Sequence, residues 1–348
     1  RGSRPRRGLA AAGAVVEAPE ALPTWAELEA ALPSASPSAP APALTLYRDT
    51  NGWCPFCERV WLGLRAKGIP FDEVLINLYD KPQWYKDMVP TTLVPAVKFA
   101  EGGDVVWESD AILRRLDAEF PETRPLFAEP ERVEAAVALT SRLTNASMGL
   151  AYRSGNTTAE QLAEQRERLV AAVGDLEAHL AAGGPFLAGH EFSAADCMAV
   201  PMLERYAVQL PYFPAELQLR DAQRWPALAR WYDAMQALPA YRDRVMGDTY
   251  SWTAVAPVLM RLFGGQNGTL AGAAASRAEA AEAAAEALLT EVEASAAGGL
   301  RAAPGPAELE AAGKLLANRA AVVADAVSQE PRSQKGLRRL RPEQAPAV

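Results

Sequence analysis

Between Leu44 and Phe120 the hydrophobic pattern changes period repeatedly within fewer than eighty residues, and this alternation limits the available folds more than any other feature of the chain. Leu44–Tyr47 is a short β-prone run. Cys54–Lys67 reads as a helix with Val60, Trp61 and Leu64 on one face. Phe71–Ile76 predicts a second strand, and Pro82–Val89 a short helix with proline at its opening. Val94–Phe99 and Val105–Trp107 flank Gly102-Gly103, which is a hairpin signal, and Ser109–Phe120 closes the unit as a helix. The resulting order, βαβ-α-ββα, buries its apolar residues in a four-stranded sheet with helices on both faces.

Pro121–Pro130 is a proline-bearing connector, after which the periodicity turns wholly helical. Val133–Tyr152, Thr158–Ala182, Ser193–Leu210 and Trp225–Ala237 all space their apolar residues near 3.6, so an all-α bundle is expected over 131–263. Ser193 with Asp196 has the spacing of a capping box. From 264 to 348 an Ala-rich extension follows, with a capping box at Ser276 and Glu279, a second helical pattern over Leu309–Val327 and a basic, solvated end at Lys335–Arg341. At the other end, 1–42 comprises an Arg-rich, acid-free stretch (Arg1–Val16), a helical patch at Thr24–Leu32 and a semi-rigid linker at Pro33–Pro42. The first stretch reads either as the remnant of an organelle transit peptide or as a disordered tail. Ordered structure is expected from Ala43.

Composition removes several function classes. The net charge of −8 argues against a nucleic-acid surface built on bulk positive charge. No apolar run reaches the ~18 residues of a transmembrane helix, and no membrane partner is expected. Three cysteines and two histidines cannot form a disulfide framework, nor a four-ligand structural zinc site without borrowing carboxylates. No metal is expected, and any cysteine chemistry must rest on few thiols.

Cys54-Pro55-Phe56-Cys57 opens the first helix after strand one. Cys54 at that helix N-terminus meets unpaired backbone N–H groups and the positive end of the dipole. Both favour thiolate, lowering a pKa of about 8.5 into the range of roughly 3.5–7.5. Cys57 lies one turn on, as a resolving thiol. Zinc ribbons also use this spacing, but no second such pair exists here. Cys197, beside Met198 and Val200, reads as a buried small hydrophobe, and His179 and His190 as surface or packing residues. The thiolate must therefore be stabilised by backbone and bound ligand rather than by imidazole.

The βαβ-α-ββα order is also that of a thioredoxin-like domain, 43–120, and that fold places a cis-proline opposite the cysteine. Val94-Pro95 falls there. A cis bond would expose the Val94 N–H and C=O to an extended thiol peptide, while an ordinary trans proline at a strand edge is the plainer reading. Glu108-Ser109 follows the fourth strand. Ser109 as a helix cap would offer donors to a carboxylate, and Glu108 would accept from an ammonium. Lys81 can neutralise a further carboxylate. Together they describe a cradle for the tripeptide glutathione.

Residues 44–246 resemble the cysteine-type glutathione transferases: the omega, lambda and dehydroascorbate reductase classes. The carrying pieces are WCPFCERVWLGL, NLYDKPQWYKDMVPTTLVPAV, VVWESDAILRRL, GPFLAGHEFSAADCMAVPMLER and WPALARWYDAMQALPAYR. Lys81–Pro95 resembles plant or algal chloroplast members in particular, which points to a chloroplast address, with a cytoplasmic one as the alternative. The resemblance implies glutathione as co-substrate and Cys54 as the residue forming a mixed disulfide with it. It implies Phe56 lining the cysteinyl pocket, Val94 pairing by its backbone, Pro95 holding that loop, Lys81 meeting the glycyl carboxylate, and Glu108 with Ser109 the γ-glutamyl end. The acceptor pocket is expected between domains, walled by Val133–Tyr152, in a monomer or homodimer. Many omega and lambda members lack a cysteine where this chain has Cys57, so dithiol reduction by Cys54 and Cys57 stands as an alternative to glutathione-dependent thiol transfer or reduction. A non-catalytic ligand-binding or scaffold role is the third reading.

Overall fold

The computed structural model describes residues 41–152, 158–212, 217–242, 249–264, 270 and 272–296, all within one unit, 40–300. Segments 1–16, Thr24–Leu32 and Leu309–Val327, and the basic end, lie outside the described residues.

The first half runs β1 (Leu44–Asp49), α1 (Pro55–Lys67), β2 (Phe71–Ile76), α2 (Gln83–Met88), β3 (Ala96–Phe99), β4 (Val105–Trp107) and α3 (Ser109–Glu119). Strand order is β2-β1-β3-β4. The β1–β2 pair is parallel, Leu44 against Phe71 through Asp49 against Ile76, so a crossover must join them, and α1 is that crossover. Strands β3 and β4 pair antiparallel across a turn in which Gly102 (φ 75°) and Gly103 (φ 71°) take the left-handed conformation that a tight hairpin demands. Central strand β1 is covered on both faces, so all its residues but Thr45 are buried, Arg48 and Asp49 included.

Helix α1 carries Pro55 in its first turn and ends at Gly68 (φ 68°), whose N–H returns to Leu64 and Arg65. Lys67, in its last turn, is buried. Its Nζ donates to Asp117 at 2.7 Å and to the Arg124 carbonyl at 2.9 Å, while Asp117 accepts from Leu126 and Phe127 N–H. One ion pair thus ties α1, α3 and the connector together.

The helical half comprises α4 (Pro130–Tyr152), α5 (Ala159–Gly183), α6 (Ala194–Gln209), a 3-10 turn at Leu210–Tyr212, α7 (Pro226–Gln236), α8 (Pro239–Arg242), α9 (Thr249–Gly264) and α10 (Gly272–Ala296). The box at Ser193 and Asp196 forms as expected. Asp196 is fully buried and also accepts from Leu187 N–H (3.0 Å) and Trp231 Nε1 (2.8 Å), so one cap joins α6, α7 and the loop before them. The box expected at Ser276 does not form. Helix α10 begins at Gly272, four residues earlier, because a run of alanines needs no side-chain cap to start turning. Ser276 is therefore interior to it.

A continuous apolar core runs from Leu46, Leu64 and Leu113 under the sheet through Val133 and Leu143 to Leu203 and Trp231. At Gly63 the absence of a side chain lets α1 approach its neighbours, since a Cβ there would lie 2.5 Å from Leu113 Cδ2 and 3.9 Å from Cys197 Sγ. On the sheet's other face a smaller cluster of Tyr47, Cys57, Ile76, Tyr85, Val89, Val94 and Ala96 packs under α2. This cluster buries Cys57. No described helix is long and apolar enough to cross a membrane.

Candidate functional site

Cys54 sits at the N-cap of α1 with extended backbone angles (φ −69°, ψ 115°) and no side-chain cap, so its own sulfur occupies the place where a capping oxygen would accept. The Cys57 thiol donates to it, and this is the largest cause holding the Cys54 pKa below that of an ordinary cysteine. The N–H groups of Cys57 and Phe56 add to the effect, while burial and the nearby Asp49 charge oppose it. Cys57 has the reverse fate. Burial first, then its donation to Cys54, pushes its thiol well above the usual value. The Cys54 sulfur is part-buried and accepts, and the Cys57 sulfur, only 2% exposed, donates.

Sequence-predicted residues gather around this pair unevenly. The Val94–Pro95 bond is cis, and the Val94 carbonyl oxygen lies 3.9 Å from Cys54 Sγ. Lys81 does not stand free: its Nζ donates to the Thr92 carbonyl at 2.8 Å. Tyr85 Oη donates to the Leu93 carbonyl at 2.6 Å, so both side chains brace the loop that delivers Val94. Ser109 is buried, but it is not the cap expected of it. The N-cap of α3 is Glu108, held at φ 70° without a side-chain bond, and Ser109 is the first helical residue. Its Oγ instead faces Arg59 Nη1 at 3.5 Å. Phe56 is half-exposed, with the Arg59 guanidinium 4.8 Å over its ring, and Glu108 is exposed.

Three residues of the site carry no local sequence signal. Arg59 is buried between Phe56 and Ser109, and burial draws its pKa down to about 10. Asp49, at the end of β1, takes the Trp53 N–H on Oδ2 at 2.7 Å and so holds the loop before Cys54 from beneath. Arg205, from α6, donates to the Trp53 carbonyl at 3.0 Å and to Glu58 at 2.7 Å. Ligating atoms of Asp49, Cys54 and Cys57 all lie within 4.8 Å of one another. By contrast, Cys197 is fully buried beside Gly63, and His179 Nε2 meets the Leu187 carbonyl at 2.6 Å, as packing residues do.

A cavity of about 360 Å³ lies between α4, at Arg142, Asn145 and Ala146, and α5, at Arg168, Ala171, Ala172 and Asp175.

The sulfur asymmetry has a measurable consequence. Alkylation of Cys54 by iodoacetamide is expected to follow a pH midpoint below that of free cysteine, and Cys57→Ala to raise that midpoint, since it deletes the hydrogen bond that most lowers the Cys54 pKa. A midpoint at the free-cysteine value, followed by peptide mapping of the label, would show that no stabilised thiolate exists.

Profiles of two known domains match the chain: glutathione S-transferase, N-terminal domain, over residues 53–119, and glutathione S-transferase, C-terminal domain, over residues 159–234. A rice (Oryza sativa subsp. japonica) protein named probable glutathione S-transferase DHAR1, cytosolic, is 34% identical over 48% of this chain and 73% of its own. A Caenorhabditis briggsae protein named probable glutathione transferase omega-2 is 30% identical over 59% of this chain and 82% of its own. Among solved structures, glutathione transferase Omega 3C from Trametes versicolor superposes with a TM-score of 0.52 over 65% of this chain and 95% of its own, at 23% identity, which speaks to the fold.

Proposed function

The chain belongs to the glutathione S-transferase family, and we propose that within it Cys54 performs glutathione-dependent thiol transfer or reduction, of the deglutathionylating or dehydroascorbate-reducing kind. What supports this reading is a Cys54 sulfur at the head of α1 that accepts from Cys57 and has its pKa lowered, beside the cis Val94–Pro95 bond, while the Cys57 pKa is raised. An attacking sulfur must be a thiolate, and Cys54 is the one so stabilised.

In the first step the Cys54 thiolate attacks the glutathione sulfur of a mixed disulfide. The Cys54–glutathione S–S bond forms as the substrate S–S bond breaks, and the electron pair leaves on the substrate thiolate. In the second, a glutathione thiolate attacks that adduct, forming oxidised glutathione and returning the Cys54 thiolate. Electrons balance across the cycle: one glutathione thiol is oxidised as the substrate sulfur is released as a thiol, and the glutathione already present in the substrate disulfide leaves within oxidised glutathione. In this reading the Val94 backbone pairs with the cysteinyl unit of glutathione, and Pro95 holds that loop. Lys81 turns toward the glycyl carboxylate with the protons it does not give to Thr92. Phe56 lines the cysteinyl side, and the N–H groups at Glu108-Ser109, beside the Arg59 charge, meet the γ-glutamyl end. We read the Arg-rich segment 1–16 as the basis for a chloroplast location.

The dithiol alternative is disfavoured by the same geometry. A resolving thiol must itself ionise, and burial first, then donation to Cys54, raises the Cys57 pKa. Intact mass after incubation with oxidised glutathione separates the two. One glutathione-sized adduct is expected on wild type and on Cys57→Ser, and none on Cys54→Ser. A product lighter by two hydrogens, with no adduct, would replace this reading with the dithiol one, and neither product would refute both. Glutathione-coupled turnover is expected to persist in Cys57→Ser.

A further inference from the structure

Asp49 is not consumed by that chemistry. It is only 1% exposed at the end of β1; Oδ2 accepts from Trp53 N–H, and Oδ1 is buried without a hydrogen-bond partner. Of the guanidinium groups in the site, Arg59 lies toward Phe56 and Ser109, and the other two are paired elsewhere. Arg48 pairs with Glu73 and donates to the Asp49 backbone carbonyl, and Arg205 pairs with Glu58. Among the described residues no lysine or arginine forms an ion pair with the Asp49 carboxylate, although both cysteine sulfurs lie within 4.8 Å of it. A carboxylate without an ion-pair partner, one of its oxygens orphaned, and two thiols thus stand together as a donor set.

We propose that Asp49, Cys54 and Cys57 constitute a binding site for a thiophilic divalent cation of the zinc type. Two sulfurs and one carboxylate oxygen suit a borderline-soft ion, with bonds of about 2.3 Å to sulfur and about 2.0–2.2 Å to oxygen. Ligand atoms up to 4.8 Å apart reach those lengths through small side-chain rotations. A cavity of about 20 Å³, bounded by Arg48, Asp49, Gly52, Cys54, Cys57 and Trp61, adjoins the three donors. It holds one water-sized occupant, which suits the open fourth position of a three-ligand site. Coordination replaces the S–H bond of Cys57 by a sulfur–metal bond and releases the proton to water. A structural zinc site was excluded on cysteine and histidine counts unless a carboxylate joined it; the fold supplies that carboxylate five residues before Cys54.

The site needs no glutathione, so it is tested apart from the proposed function, whose adduct experiment fails or succeeds independently. Reduced full-length protein is titrated with Zn²⁺ in competition with a chromophoric chelator, and with Cd²⁺ while thiolate-to-metal absorbance is followed in the ultraviolet. One equivalent is expected to bind, with the cadmium band rising in step, and Zn²⁺ is expected to block glutathione-coupled turnover until a chelator is added. Asp49→Asn, which keeps an oxygen for the Trp53 N–H, is expected to weaken binding about tenfold or more, on the scale of losses seen at metal sites. Failure of reduced wild type to take up one equivalent overturns the site, and wild-type affinity in Asp49→Asn overturns the part of the carboxylate. Should that variant not fold, Cys57→Ser decides, wild-type affinity there overturning the proposal.

Discussion

Cys54→Ser is expected to lower glutathione-coupled reduction of the mixed disulfide of β-mercaptoethanol and glutathione by about 10³-fold or more, to the level of the buffer. Nucleophile deletions are among the costliest single changes an enzyme can suffer. The reason is electronic rather than steric. An oxygen in place of Sγ still occupies the N-cap of α1, so the fold and the glutathione cradle survive. A hydroxyl, however, is not ionised by a donor and two backbone N–H groups near neutral pH, and it cannot hold the glutathione sulfur in a disulfide. Binding should persist, so a glutathione-competitive ligand is expected to bind the variant much as wild type. Conjugation of glutathione to a small electrophile is expected to rise in the same variant, because the serine hydroxyl donates to the bound sulfur instead of competing for it. Retained full turnover in the disulfide assay would refute the assignment of the nucleophile.

The parts of this site that were legible in the sequence are those whose chemistry is local. A cysteine between a strand and a helix beginning with proline is told by its neighbours to sit at an N-cap, and the structure starts α1 at Pro55. Val94-Pro95 is legible in the same way, as a dipeptide at the head of a strand pattern. Ser109 was misplaced by one position, because a serine before an apolar-periodic run signals a cap. Here Glu108, at φ 70°, makes the bend and brings Ser109 inside the helix toward Arg59. Asp49 carries no local signal of this kind. Its role comes from the loop folding back so that Trp53 N–H lands on it, which no period-2 or period-3.6 pattern records. Ser276 failed for a converse reason: helix α10 is alanine-rich throughout, and nothing in such a run marks where it must begin. Arg205 was invisible for want of proximity, as its partners Glu58 and Trp53 lie 147 and 152 residues away in the chain.

That distant arginine ties the helical half to the loop that carries the reacting cysteine, and Arg205→Met is expected to damage both stability and rate. Its side chain is 3% exposed and that of Glu58 is 10% exposed, so the pair is desolvated. Removing one member of such a pair costs about 3–5 kcal/mol, because the other charge stays buried and uncompensated. The Glu58 Oε1 atom is already buried without a hydrogen-bond partner, so nothing in place takes up the loss. The guanidinium also lies 4.0 Å over the Trp252 ring of α9, a cation–π contact of up to about 2 kcal/mol when desolvated. For a protein of this size the total corresponds to a fall in melting temperature on the order of 10 °C. The kinetic effect has a separate origin. Arg205 fixes the Trp53 carbonyl, one residue before the nucleophile, and Glu58, whose N–H bonds to the Cys54 carbonyl at 3.2 Å. Without it the Cys54 loop loses its anchor to α6, so kcat/KM is expected to fall through kcat, with glutathione binding changed little. A double variant, Arg205→Met with Glu58→Leu, separates the two effects. Replacing both charges by apolar groups should restore most of the melting temperature. Turnover should remain low, since the Trp53 carbonyl still lacks its donor. If turnover returned together with stability, Arg205 would be a structural ion-pair partner with no part in positioning Cys54.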